Sequence, residues 1–361
     1  MTEPAGSGRP SLIHVIPGDG IGGVETAARS MAARDDLRCD AQILWVAGKT
    51  VVSDQRRMIF TRFRSSLNPF AHLAALREVI QRAPDVVVFS LWRTAFIAIL
   101  VRFLCPRTAI VAFLHFEGST HWLDKLFSRV LLNAADEVWA DSLATLVARL
   151  PGEPRPSRVI SFVTDRLTPA VSNRRSPEPR FVLWSRIHRQ KGIDQAVELI
   201  DRLRGEGLDA RFDIWGPDAG ELATLQDDVD RRGLGDFIVF RGPADRSMLS
   251  AIAGDATFFL QPSRSEGMSM ACVEAMQLGL VPVVTAVGEM ATYVLDGKTG
   301  LIIDPLAIDK SAAAIAALLR NPRRLSAIRA AAICRWEDTP LYAEDVDRAA
   351  AALARAGWNR C

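Results

Sequence analysis

Several stretches of the sequence combine residue types able to grip an anionic, hydroxyl-rich ligand. In Pro262-Ser263-Arg264-Ser265-Glu266-Gly267-Met268-Ser269-Met270-Ala271-Cys272-Val273-Glu274, two carboxylates stand eight residues apart across what reads as a loop-to-helix junction. With a helix starting near Met268, Glu266 lies in the loop and Glu274 about two turns into the helix. Amides around Gly267, Met268 and Ser269 then offer donors at the helix N-terminus. Carboxylates accept hydrogen bonds from hydroxyls at two separated points, as a ribose and a hexose present them, while the amides suit a phosphate between. The plainer reading makes Glu266 a complement to the helix dipole and Glu274 half of a buried ion pair.

Upstream, Ser185-Arg186-Ile187-His188-Arg189-Gln190-Lys191-Gly192 follows an apolar strand and opens a helix, with Arg186 and Lys191 five residues apart. A planar guanidinium fork and an ammonium point charge on one short loop can hold a diphosphate leaving group, although loop cations are often simply solvated. Near the N-terminus Gly18, Gly20 and Gly23 satisfy G-x-G-x-x-G between a strand and a helix, which lets backbone amides approach a phosphate or merely makes a tight packing turn. A nicotinamide site needs an acid at the end of the second strand, yet Ala41 to Val46 is followed by Ala47, Gly48 and Lys49, and Asp40 is at the wrong end. His115, after another apolar strand, reads as a ligand contact, a general base or a hydrogen-bonded structural histidine.

These groups need a scaffold. Short apolar, β-branched runs alternate with stretches of helical period, the pattern of a parallel sheet covered by helices. Strands are expected at Leu12 to Ile16, Ala41 to Val46, Val86 to Ser90, Ala109 to Phe113 and Glu137 to Ala140. After a Pro-rich stretch between Pro151 and Pro179, a second series follows at Phe181 to Ser185, Arg211 to Trp215, Phe237 to Phe240, Ala256 to Leu260 and Val281 to Val284. With 361 residues and roughly 150 per domain, the expectation is two domains, 1–165 and 178–335, with an amphipathic helix at 340–357 that can pack back on the first. Open sheets of this kind bind ligands outside the carboxyl ends of their strands, so a cleft between the domains is the expected site.

Composition narrows the function. The charge balance, 44 − 42 = +2, gives no basic excess for binding nucleic acid. The five cysteines show no C-x-x-C spacing, and His14, His72, His115, His121 and His188 are dispersed, so neither a metal site nor a disulfide framework is expected. Asp228-Val229-Asp230 and Asp345-Val346-Asp347 imitate a metal-binding Asp-x-Asp but fall in helical stretches where i and i+2 side chains diverge; they read as solvated charges. Met1 to Ser11 lacks the apolar core of a signal peptide. The apolar run Ala95 to Val101, like every other in the sequence, is far shorter than the roughly 18 residues of a membrane span. The expected location is cytoplasmic.

At these residues the chain resembles the retaining, GT-B-fold glycosyltransferases of family four (glycosyl transferases group one), whose hallmark is a Glu-x7-Glu motif. The match includes Gly22-Gly23-Val24-Glu25, His115, Arg186 to Gly192, Trp215-Gly216-Pro217, Arg241-Gly242, Glu266 to Glu274, Gly279 to Val284 and Asp296-Gly297-x-Thr299-Gly300. The resemblance implies a GT-B architecture, two Rossmann-like doubly wound domains facing a central cleft. It implies that Arg186 and Lys191 bind the donor diphosphate, Glu274 the nucleoside ribose and Glu266 the transferred sugar. Gly267, Met268, Ser269, Gly216 and Arg241 would complete the donor site, with Gly22 and Gly23 meeting the diphosphate or acceptor and His115 beside the sugar ring. One departure stands out. Many relatives carry Gly-Gly-x-Pro-Glu before the final Asp-Gly, whereas this chain has Gly288-Glu289-Met290-Ala291-Thr292, with Thr292 in place of the carboxylate.

The expected activity is therefore metal-independent, retaining transfer of a hexosyl group from a UDP or GDP sugar to a hydroxyl acceptor, a glycan or lipid-linked saccharide of a cell-surface polysaccharide. No cofactor is expected. The alternatives are a non-catalytic protein that binds nucleotide sugars or glycans on the same fold, and a Rossmann oxidoreductase. Met58-Ile59-Phe60-Thr61-Arg62-Phe63-Arg64, and farther on Arg93, Phe96, Arg102 and Phe103, mix apolar groups with cations. That mixture suits peripheral contact with the inner face of a membrane or, more commonly, ordinary packing with outward arginines.

Overall fold

A computed structural model describes residues 8–20, 22–48, 57–115, 122–150, 152, 155–170 and 179–357. The first residues, His121, Cys361 and part of the Pro-rich stretch lie outside them. The chain divides into two compact units, Met1–Asp165 with Pro340–Cys361, and Arg166–Thr339.

The first unit runs β1 (Ser11–Ile16), α1 (Gly23–Ala32), β2 (Asp40–Trp45), β3 (Met58–Phe60), α2 (Pro69–Arg82), β4 (Val86–Ser90), α3 (Ala95–Leu104), β5 (Ala109–Leu114), α4 (Trp122–Ala134), β6 (Glu137–Ala140), α5 (Leu143–Arg149) and β7 (Ser157–Val159). Its parallel sheet has the order β3-β2-β1-β4-β5-β6-β7. The central strands β4 and β5 are buried along their whole length, as expected where helices cover both faces. The helix α2 starts where Asn68 accepts the Phe70 amide and Pro69 takes the first helical position, a site at which a missing N–H costs nothing.

The second unit continues with β8 (Arg180–Trp184), α6 (Ile193–Gly205), β9 (Arg211–Trp215), α7 (Leu222–Arg231), β10 (Ile238–Gly242), α8 (Leu249–Gly254), β11 (Phe258–Gln261), α9 (Met270–Gln277), β12 (Val281–Val284), α10 (Met290–Tyr293), β13 (Leu301–Ile302), α11 (Ile308–Leu319) and α12 (Pro322–Cys334). Its parallel sheet has the order β10-β9-β8-β11-β12-β13. The last helix, α13 (Tyr342–Gly357), belongs to the first unit and packs against α1, β4 and β5.

Several short elements go beyond the sequence expectation. β3, β7 and β13 are only two or three residues long and lie at sheet edges, where a strand needs no long apolar run. β7 falls inside the Pro-rich stretch, between Pro156 and the unit boundary. The short helix α5 starts where the Ser142 side chain accepts the Thr145 amide. One further expectation is corrected. Asp345 and Asp347 are not solvated charges: Asp347 is buried and accepts the amides of Arg38 and Cys39 at 3.0 and 2.7 Å, while Asp345 accepts that of Ser161 at 2.8 Å. They fasten α13 to the loops before β2 and after β7. The Met58–Arg64 segment takes the packing alternative: Ile59 and Phe63 rest on the apolar core, Phe60 stacks on Trp45, and Arg62 and Arg64 remain exposed.

Candidate functional site

In the second sheet the strand order reverses between β8 and β11. Loops leaving the carboxyl ends of two such strands go to opposite faces and open a crevice, the usual ligand site of an open parallel sheet. Lys191 lies in the loop after β8 and Glu266 in the loop after β11, and the structure joins them: Lys191 Nζ is 2.5 Å from Glu266 Oε1. Both side chains are largely withdrawn from water, at 13% and 7% exposure. Oε1 also accepts from Gln261 Nε2 and Ser263 Oγ, each at 2.8 Å. Every one of these donors converges on Oε1, and Oε2 takes none of them.

The two loops are stitched together by contacts that the motif does not announce. Arg264 forks onto both oxygens of Asp194 at 2.8 and 2.6 Å, which holds the Asp194 carboxyl below the usual carboxylate range. The Arg264 amide donates to the Gln190 carbonyl, and Gln190 Nε2 to that of Ser265, each at 2.8 Å. Gly192 has φ +66, and a Cβ there would strike the Pro262 carbonyl, so this close approach of backbones requires glycine. Below Glu266, Gly288 at φ +55 lies against the Glu266 and Gly267 carbonyls, where no side chain fits. The Glu289 amide donates to Gly267 O at 3.0 Å.

The helix α9 begins at Met270, later than expected, so Glu274 stands about one turn in. Ser269, at its N-cap, adopts φ 54, uncommon for a residue with a side chain, and its hydroxyl donates to Gln261 Oε1 at 2.9 Å. Gly267 and Met268 sit in the same turn. Glu274 Oε2 accepts Trp184 Nε1 at 2.9 Å, and its Oε1 lies 3.4 Å from an Arg246 guanidinium nitrogen. Arg186, two residues beyond β8, is exposed. Gly216 donates its amide to Gly242 O at 2.7 Å. The Arg241 side chain is engaged by Asp213 at 2.6 Å. On the departing loop, the carboxylate belongs to Glu289, whose Oε1 accepts the Thr292 hydroxyl at 2.8 Å.

The first sheet reverses order between β1 and β4. Gly22 caps and Gly23 opens α1 after β1, with the Glu25 carboxylate folded back over Gly22. His115 follows β5 directly. Its Nε2 is 2.8 Å from Ser90 Oγ at the end of β4, and that oxygen is 2.7 Å from Nε2 of His14 in β1. Burial pushes the His14 imidazole down to about 3 and, with repulsion from His14, holds His115 well below its ordinary value. Both rings are therefore neutral near pH 7. A spacing rule could not have found this pair, because its members, His14 and His115, are 101 residues apart in sequence.

Two parallel doubly wound units, each with a switch point at which the strand order reverses, are the GT-B architecture. Residues 165–334 match the family model described as glycosyl transferases group 1. Among curated relatives, the GDP-mannose-dependent alpha-(1-6)-phosphatidylinositol monomannoside mannosyltransferase of Mycolicibacterium smegmatis is 29% identical over 193 residues, 48% of this chain and 50% of that protein. The GDP-mannose:cellobiosyl-diphosphopolyprenol alpha-mannosyltransferase of Xanthomonas campestris is 27% identical over 205 residues, 56% of this chain and 52% of that protein. The chain thus spans about half the length of the curated relatives it matches. Among solved structures, Anabaena HepE bound to UDP superposes with a TM-score of 0.76 at 18% identity, covering 98% of this chain and 100% of that one. Sucrose-phosphate synthase from Thermosynechococcus elongatus gives 0.76 at 17% identity over 98% and 99%. At that identity these two show a shared fold.

Proposed function

We propose that the protein is a retaining glycosyltransferase that moves a hexosyl group from a UDP or GDP sugar to a hydroxyl acceptor. The observation that carries this reading is the Lys191–Glu266 pair at the switch point of a group 1 domain. Lys191 and the exposed Arg186 supply positive charge for a diphosphate, and Glu266 Oε2, the oxygen not taken up by the pair, is the acceptor for a sugar hydroxyl. Glu274, tethered by Trp184 and Arg246, receives the ribose hydroxyls. The bond from the anomeric carbon to the phosphate oxygen breaks with oxocarbenium character, its electron pair passing to the diphosphate, where fixed cations stabilise the charge. The acceptor oxygen then bonds to the same face and its proton goes to the departing phosphate. A covalent carboxylate intermediate gives the same stereochemistry. With a UDP or GDP sugar and a saccharide acceptor, proton NMR of the product formed in EDTA should show the donor's anomeric configuration; an inverted product, or a reaction abolished by EDTA and restored by magnesium, contradicts the reading.

The acceptor we propose is a lipid-linked saccharide. Two of the relatives act, by their names, on a phosphatidylinositol mannoside and on a diphosphopolyprenol saccharide. The sheet face covered by α2, α3 and α4, neighbours in that order, turns large apolar side chains outward: Phe70, Leu73, Phe96, Phe103, Trp122 and Leu126 are all exposed. Exposed Arg77, Arg93, Arg107, Lys125 and Arg129 lie among them or at the helix ends, whereas of the acids of these helices Asp124 is buried and Glu78 is paired with Arg82. Protruding aromatics with cations match an anionic bilayer surface, and a second copy would set like charges face to face. No helix among the described residues is long and apolar enough to cross a membrane. We expect salt-sensitive co-sedimentation with anionic but not neutral vesicles, weakened several-fold by Phe103→Ser with Arg107→Glu. Absence of binding at low salt overturns the membrane contact and leaves a soluble acceptor.

A further inference from the structure

Resting on that functional reading and deepening it, we propose that Tyr342, His14 and Ser90 are positioning residues that hold His115 as a neutral imidazole with its hydrogen on Nδ1. His115 then meets the substrate as an N–H donor and not as a base.

Ser90 Oγ lies between His14 Nε2 and His115 Nε2, at 2.7 and 2.8 Å. A hydroxyl has one hydrogen, so it donates to one ring and accepts from the other; if both rings donated to it, its own hydrogen would have no acceptor. At the far end of the chain, the buried Tyr342 hydroxyl lies 3.3 Å from His14 Nδ1, with no other hydrogen-bond partner among the described residues. If His14 Nδ1 carried a hydrogen toward that oxygen, the phenol's own hydrogen would be stranded in the core, which buried polar groups avoid. Tyr342 therefore donates to His14 Nδ1, and the neutral ring carries its hydrogen on Nε2 and donates to Ser90. Ser90 donates to His115 Nε2. That leaves the His115 hydrogen on Nδ1, a buried atom with no hydrogen-bond partner among the described residues.

The surroundings keep this relay dry and fixed. Phe113 stacks against His14 and Tyr342 and lies tilted against His115, and Phe162 meets His115 and Tyr342 edge-on. The residue after Ser90, Leu91, has φ 65, a region in which a branched aliphatic is a genuine outlier. Such outliers concentrate where function requires them. The relay also explains why the C-terminal helix returns to the first unit: its first residue, Tyr342, sets the polarity of the chain. An Nδ1–H at the carboxyl end of a central strand matches an acceptor oxygen, a hydroxyl or phosphate oxygen of the sugar nucleotide.

Nitrogen-15 NMR of the histidine side chains decides the relay without any assay of activity. His115 should show hydrogen on Nδ1 and a bare Nε2 at neutral pH, and Tyr342→Phe and Ser90→Ala should each shift it toward a mixture. Hydrogen on Nε2 in the unaltered protein, or no change in both variants, overturns the proposal. Kinetics give a second reading: His115→Asn places an amide near the Nδ1 position and should keep about tenfold more kcat than His115→Gln, which places one near Nε2. Equal loss in the two folded variants also overturns it. If no sugar nucleotide is turned over by the unaltered protein, the functional reading fails while the NMR result still judges the relay.

Discussion

Lys191→Ala should lower kcat by about a hundred- to a thousandfold, the scale for removing one preorganised group that meets charge developing in a transition state. The structure adds a complication that the sequence did not reveal. Lys191 neutralises Glu266 in a site largely closed to water, and removing one partner of such a pair costs about 3 kcal/mol of stability because the other charge remains. A loss of activity alone would therefore be ambiguous. The double variant Lys191→Ala/Glu266→Gln resolves it, since a neutral amide no longer needs a cation and Gln261 and Ser263 still have an oxygen to bond. Denaturant unfolding should show most of the stability restored, while turnover falls at least tenfold below that of Glu266→Gln alone. Turnover equal to that of Glu266→Gln alone would make Lys191 purely structural.

The second large effect separates the two carboxylates. Glu266→Gln should lower turnover by about a hundredfold with little change in affinity for free UDP or GDP, because its open oxygen is assigned to the sugar. Glu274→Ala should weaken the free nucleoside diphosphate about tenfold or more, the loss from hydrogen bonds to a charged acceptor, because it is assigned to the ribose. Titration calorimetry on both variants tests the division. Equal effects on free-nucleotide affinity would reject it.

The fold was legible in outline because long parallel strands buried on both faces are written as unbroken apolar runs: Val86 to Phe89 and Ala109 to Leu114 could be little else. Edge strands escaped for the complementary reason. Ser157-Arg158-Val159 has no apolar period and is a strand only because β6 offers it a free edge. At the site, Glu266, Glu274 and Lys191 were visible as charges at strand ends, but their relations were not. Nothing local in the sequence says that Lys191 seats on Glu266, 75 residues away, or that Arg264 clamps the other loop through Asp194. Gln261 left a usable trace, a polar residue ending a wholly apolar strand. The start of α9 was misjudged by two residues because its cap is Ser269 in a left-handed conformation, with no side-chain capping signal to read. The Asp345 and Asp347 carboxylates were misread because a helix taken alone does not disclose which backbone amides lie beside it.

The most direct measurement is isothermal titration of the intact protein with UDP, GDP, a UDP sugar, a GDP sugar and NAD, followed by detection of nucleoside diphosphate released on standing. Expected are saturable binding of one nucleoside diphosphate and its sugar in EDTA, binding weakened about tenfold or more in Glu274→Ala, and slow release of diphosphate from the sugar nucleotide that Lys191→Ala slows at least a hundredfold. Binding without release in the presence of acceptor saccharides would reduce the protein to a nucleotide-sugar binder. Binding of NAD with none of the sugar nucleotides would contradict the account outright.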